Sequence, residues 1–136
     1  MKTLEFTINT GNKPAVVDIT SKIEEAIKDL QEGLVHVFVP HATAGLALME
    51  TGSGSEYDLI NAIDQLFPKS SNYRHAHGSL GHGRDHILPA FISPFLVLAV
   101  RDKRLQLGTW QSVVLVDTNV DNPIRKVQVN LISSIV

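Results

Sequence analysis

Four of the chain's six histidines, His75, His77, His82 and His86, fall within twelve residues, in a stretch with little apolar content. Imidazole changes charge near neutral pH and is a common metal ligand, so such a cluster suggests a metal or an acid–base site. A fifth histidine, His41, opens His41-Ala42-Thr43-Ala44-Gly45 directly after an apolar run, where a strand would end. Catalytic zinc sites typically use three protein ligands and leave one position free. His41, His75 and His86 would supply such a set from three separate segments. No HExxH helix is present. A plainer account makes His75 and His77 solvated loop residues and His41 a turn residue. His36 lies inside a strand pattern and is more readily a satisfied strand histidine than a ligand.

Other side chains suit supporting roles. Glu50 follows Leu46-Ala47-Leu48-Met49 and precedes a glycine-rich turn, where a carboxylate can serve as a general base or remain a surface acid. Gly108-Thr109-Trp110-Gln111 leads into a very apolar run, and Gln111 offers an amide to a ligand. Arg125 begins the last strand pattern and could clamp a phosphate or carboxylate, or simply face solvent. Glu56 and Asp58 open a helix, where acids are expected from the macrodipole.

The elements carrying these residues follow from periodicity. Residues 3–8 alternate as a strand, and Gly11-Asn12-Lys13-Pro14 turns into a second one over 16–19. Thr20 or Ser21 is placed to cap a helix whose apolar positions are Ile23, Ala26, Ile27 and Leu30, with Gly33 as its terminator. Residues 34–39 read as a buried strand closed by Pro40, and 46–49 as a short one. A second helix carries Leu59, Ile60, Ile63, Leu66 and Phe67 up to Pro68. Residues 69–85 form the longest irregular segment, of a length more often functional than idle. Asp85 is placed to cap a short third helix. Residues 95–100 and 113–116 read as strands buried on both faces, and 125–131 as a strand with one wet face. The expectation is a single α+β domain over 1–136, with a mainly antiparallel sheet and two or three helices.

Composition narrows the setting. Of the 136 residues, 43% are hydrophobic and 19% charged, as in ordinary globular chains. A net charge of −2 gives no bulk attraction to nucleic acid or anionic lipid. There is no cysteine, so disulfides and thiolate metal sites are excluded. No apolar run approaches the roughly 18 residues of a membrane span. A cytoplasmic protein with a small-molecule substrate, and with no nucleic acid or membrane partner, is expected.

Taken in order, His41-Ala42-Thr43-Ala44-Gly45-Leu46, Glu50, Tyr73-Arg74-His75, Asp85-His86-Ile87, Leu105-Gln106-Leu107-Gly108-Thr109-Trp110-Gln111 and Arg125-Lys126-Val127 resemble the YjbQ-like family. Its members are often named secondary thiamine-phosphate synthases. The resemblance spans almost the whole chain. It implies a YjbQ-like α+β fold, a homotrimer with sites near subunit boundaries, metal ligation by His41, His75 and His86, and motif positions for Glu50, Trp110, Gln111 and Arg125. It also implies transfer of a pyrimidine-methyl group from its pyrophosphate to a thiazole phosphate. Three imidazoles suit zinc or nickel better than the magnesium that such chemistry ordinarily uses. Metal-assisted hydrolysis, with Glu50 as base, is therefore a related expectation, and a non-catalytic metal- or metabolite-binding trimer is the alternative. The chain departs from the family where His82 stands at a position usually held by an amide, and Arg84 where a histidine is common. Those departures bear on substrate identity.

Overall fold

Val113, Val114, Leu115 and Val116 have no exposed surface, so the strand they form is covered on both sides. In the computed structural model, which describes residues 1–134, that strand organises the rest of the chain. The elements run β1 (Lys2–Asn9), β2 (Ala15–Asp18), α1 (Thr20–Ala26), β3 (Glu32–Phe38), β4 (Ala44–Met49), α2 (Ser55–Leu66), α3 (His82–Ile87), a 3₁₀ turn (Leu88–Ala90), β5 (Phe95–Arg101), β6 (Arg104–Leu105), β7 (Ser112–Asp117) and β8 (Ile124–Ser133). β7 is the middle strand of a three-stranded sheet, β2-β7-β4, and a five-stranded sheet runs β1-β8-β3-β5-β6. Every pairing is antiparallel, which bears out the α+β expectation.

The main core lies between the sheets. Val35, Val37, Val127 and Val129 pack in one cluster with Leu46, Val113 and Leu115 and with Ile19, Ile23 and Ile27 around α1. Fully burying an aliphatic side chain of this size contributes about 1.5–3 kcal/mol relative to exposure. Val114 and Val116, of opposite parity, pack instead with Ile63 of α2 and with Leu88. α2 and the 3₁₀ turn that follows α3 therefore lie against β7 from the side away from the large sheet, whereas α1 packs into the main core; the second layer carries the histidine segment.

Several expectations need correction. Neither Thr20 nor Ser21 caps α1 through its side chain. Thr20 Oγ1 accepts the Val113 N–H at 2.8 Å, and the Asp18 carboxylate accepts the Thr20 N–H at 3.0 Å. Gly33 does not stop the helix but lies within β3, at φ +155°. A Cβ there would sit 2.1 Å from the Ile132 carbonyl oxygen, so close strand approach is what requires glycine. β3 and β5 are not buried on both faces. Val35, Val37, Leu98 and Val100 face the core, while Leu34, Phe95 and Val97 lie on an open outer face. Asp85 is not a helix cap either; it sits inside α3 and is buried.

Candidate metal centre

α3 presents His82 and His86 one turn apart, so their side chains share a face of the helix. Their Nε2 atoms are 2.9 Å apart. His75 comes from the preceding irregular segment. One ligating nitrogen from each of His75, His82 and His86 can be chosen so that all lie within 4.8 Å of one another. Metal–imidazole bonds of about 2.0–2.1 Å hold ligands of one tetrahedral ion roughly 3.3 Å apart. Closing the three nitrogens to that spacing would seat one ion, and the donor set fits an ion of the zinc and nickel class.

The supporting interactions are specific. Asp121 Oδ2 and Asn119 Nδ2 both reach His82 Nδ1 at 3.2 Å. The carboxylate can only accept and the Asn119 amide nitrogen can only donate, so one of them at a time bonds Nδ1. With Asp121 as the partner the proton sits on Nδ1 and the Nε2 lone pair is aimed towards His86. Asp121 is itself held by the Ser79 hydroxyl and the Ser79 N–H, and the Ser79 bonds foremost hold its carboxyl below the usual carboxylate range. Beneath α3, the buried Asp85 accepts from Arg84 Nε at 2.8 Å, Thr118 Oγ1 at 2.6 Å and Asn119 Nδ2 at 3.2 Å. Arg84, fully buried, also pairs with Asp64 at 2.9 Å and donates to the Phe67 carbonyl. Glycine brings His75 into range, because a Cβ on Gly83 would lie 2.2 Å from the His75 carbonyl oxygen.

Desolvation among the packed rings, reinforced by their mutual repulsion when charged, pulls the His75 and His86 pKa values below the ordinary histidine value. Neutral rings are the form that ligates a metal. The sign for folding follows: the unfolded chain takes up these protons at higher pH than the folded one. The contribution is therefore present above the unfolded value of about 6.5 and lost as pH falls through the folded values. Urea melts of the metal-free protein should give lower stability at about pH 5 than at about pH 7.5. In a His75→Asn/His86→Asn double variant that difference should shrink; an unchanged difference would place its origin elsewhere.

The structure brings His75 and His86 together and adds His82, which the sequence reading left out of the triad. His41 stands beside Arg125 instead. Its Nε2 accepts the Lys126 N–H at 2.9 Å, and burial, then Arg125, lower its pKa. Arg125 is wholly buried, forming two hydrogen bonds with Asp117 at 2.7 and 2.9 Å and a third with Thr43 at 2.8 Å. Glu50 and Gln111 are exposed at the far end of the β4–β7 pair, where Met49 faces Ser112. Five strand steps, roughly 17 Å, separate Ser112 from Asp117, and the histidine segment attaches just beyond Asp117. The missed signals were the i, i+4 spacing of His82 and His86 and the Asn119-x-Asp121 turn.

The family description "UPF0047 protein YjbQ-like" matches residues 4–134. The chain belongs to the YjbQ-like family. Among its YjbQ-like relatives, a UPF0047 protein of Mycobacterium bovis is 50% identical over 117 residues, covering 86% of this chain and 91% of that one. A UPF0047 protein of Methanocaldococcus jannaschii is 30% identical over 90% of this chain and 87% of its own length. The YjbQ-like fold is also seen in a hypothetical protein from Aeropyrum pernix K1, with TM-score 0.88, 30% identity and coverage of 98% and 100% of the two chains. A YbjQ-like protein of unknown function from Sulfolobus solfataricus P2 superposes with TM-score 0.90 at 24% identity over 98% and 97%, which speaks to the fold alone. No helix among the described residues is long and apolar enough to cross a membrane.

Proposed function

We propose that this YjbQ-like chain is a metal-dependent enzyme acting on a small phosphorylated or otherwise anionic metabolite, with His75, His82 and His86 holding a zinc-class ion. The observation that carries the reading is the convergence of three imidazole nitrogens within 4.8 Å, one of them backed by the Asp121 carboxylate. Magnesium suits this set poorly, since it favours oxygen ligands. An ion of the zinc class supplies Lewis acidity towards a phosphoryl or carbonyl oxygen. The protein's part is to favour the neutral form of His75 and His86, to orient His82 through Asp121 and to hold α3 against the end of β7 through Asp85. Thiamine-phosphate synthesis is one reaction to assay, together with hydrolysis of phosphorylated metabolites.

The homotrimer belongs to the same reading. Leu34, Phe95, Val97 and Ile132 leave an apolar outer face on the five-stranded sheet, suited to burial between copies. Glu50, Gln111 and a displaced His41 can serve the histidine centre only with help from a neighbouring copy or a shift in the chain. Sedimentation velocity should give a single species of three chains; a monomer at every concentration would remove this part.

Non-catalytic metal or metabolite binding is the second reading, and one observation favours it. The carboxylates beside the rings, Asp85 and Asp121, are already committed to hydrogen bonds, so among the described residues of one chain the cluster has no uncommitted base. The first experiment is elemental analysis and zinc and nickel titration of the purified protein beside variants. The expected result is about one ion per chain, lost in His82→Ala and His86→Ala and kept in His36→Ala. Asp121→Asn should retain the ion with affinity lower by about 10–100-fold. A native protein that takes up neither metal would sink the reading.

A further inference from the structure

The four rings of the segment, taken in all six pairs, have centroids separated by 4.2 to 6.3 Å. Four imidazoles bound to one zinc-sized ion at about 2.0–2.1 Å place their ring centres about 5 Å apart in every pair. His77 fits that arrangement: its centroid lies 4.2 Å from His75, 4.6 Å from His82 and 6.3 Å from His86. It is the ring left out when the nitrogens of His75, His82 and His86 are gathered within 4.8 Å.

The four are held unequally. His82 has Asp121 and Asn119 behind it, and it shares α3 with His86. The His75 backbone is set against Gly83, with no room for a Cβ between them. Among the described residues neither the His75 nor the His77 ring is held by a hydrogen bond, and both are exposed; Gly78 follows His77 at φ +81°. A Cβ on Gly78 would meet the His82 ring at 2.9 Å, so glycine is what lets the His77 turn lie against the cluster.

We propose that His77 is a detachable fourth ligand. It closes the coordination sphere at rest and swings away to admit an anionic ligand, while the other three histidines stay in place. The inference rests on the metal reading above and adds the regulation of access to that site. A site closed by four imidazoles resembles a structural one; His77, the ring outside the group of nitrogens gathered within 4.8 Å, is the one placed to exchange.

The test is visible spectroscopy of the protein loaded with cobalt(II), titrated with azide, in the native chain and in His77→Ala, His77→Gln and His82→Ala. The native chain should give the intense ligand-field bands of a four-coordinate site and answer azide only at high concentration. His77→Ala should still bind cobalt, show a changed and weaker band, and answer azide at concentrations at least ten-fold lower. His77→Gln should follow it, which excludes collapse of the turn as the cause. His82→Ala should lose the ion. Native and His77→Ala spectra that coincide, with equal azide responses, would overturn the inference and leave the three-histidine site standing. Failure of the native chain to take up cobalt would overturn both.

Discussion

Arg125→Ala should destabilise the folded chain by about 3–5 kcal/mol, because it strands a buried carboxylate. Arg125 and Asp117 have no exposed surface, and two hydrogen bonds join them. Thr10 Oγ1 donates to the same carboxylate at 2.6 Å, and Arg125 Nη2 reaches Thr43. One ion pair thereby ties the end of β1, the loop before β4, the end of β7 and the start of β8. Removing the guanidinium leaves Asp117 with the Thr10 hydroxyl and the nearby Asn119 N–H as partners. Equilibrium urea unfolding measures the effect, and a loss under about 1 kcal/mol would mean that water or a rearranged neighbour replaces the arginine. Arg125→Lys should recover little, since an ammonium cannot reproduce the two-pronged geometry.

Asp85→Ala should be comparably severe, with a second consequence at the metal centre. The Asp85 carboxylate joins Arg84 on its own helix to Thr118 and Asn119 just beyond β7, so it anchors α3 from below. Without it the buried Arg84 keeps only the half-exposed Asp64 and a backbone carbonyl. A cost of about 3–5 kcal/mol is expected. Zinc affinity should fall as well, since His82 and His86 ride on the same helix. Asp58→Ala, on the first turn of α2, serves as the surface control. Stability lost with unchanged zinc affinity would mean that the histidines keep their geometry without this anchor.

Much of the architecture was legible because two periodicities were strong. Alternation along residues 3–8 and 125–131 announced β1 and β8, and the uninterrupted apolar run at 113–116 announced a strand buried on both faces. The same rule misled at 34–39 and 95–100, where apolar residues occupy an outer face as well as the core. Hydrophobicity reports that a surface seeks burial, not whether its own chain supplies the cover. Arg125 was misjudged although its parity was informative: it shares a face with Val127, Val129 and Leu131, all buried. A charged residue on an apolar face calls for a buried partner, and Asp117 at the end of β7 was the available one.

At the site, the density of histidines was visible but their grouping was not. The residue types and the family resemblance both link His41 to the cluster, whereas within the chain its Nε2 accepts the Lys126 N–H. His82 was set aside as a departure from the family pattern, yet four residues before His86 it shares a helical face with it. Glu50 and Gln111 fell on motif positions, but strand pairing puts them at the opposite end of β7. Sequence order alone does not tell which end of a sheet a residue occupies until the register is known.

All the imidazoles of the cluster come from twelve consecutive residues, and this bears on what a bound ion does for the rest of the molecule. Bringing together ligands so close along the chain closes only short loops, which costs a disordered polypeptide little entropy. The heat-denatured chain would therefore still compete for the ion. Stabilisation by an ion depends on its preference for the native over the denatured form, not on its affinity for the native form alone. Saturating zinc should raise the melting temperature by less than its dissociation constant implies, and chelation should empty the segment while the two sheets remain folded.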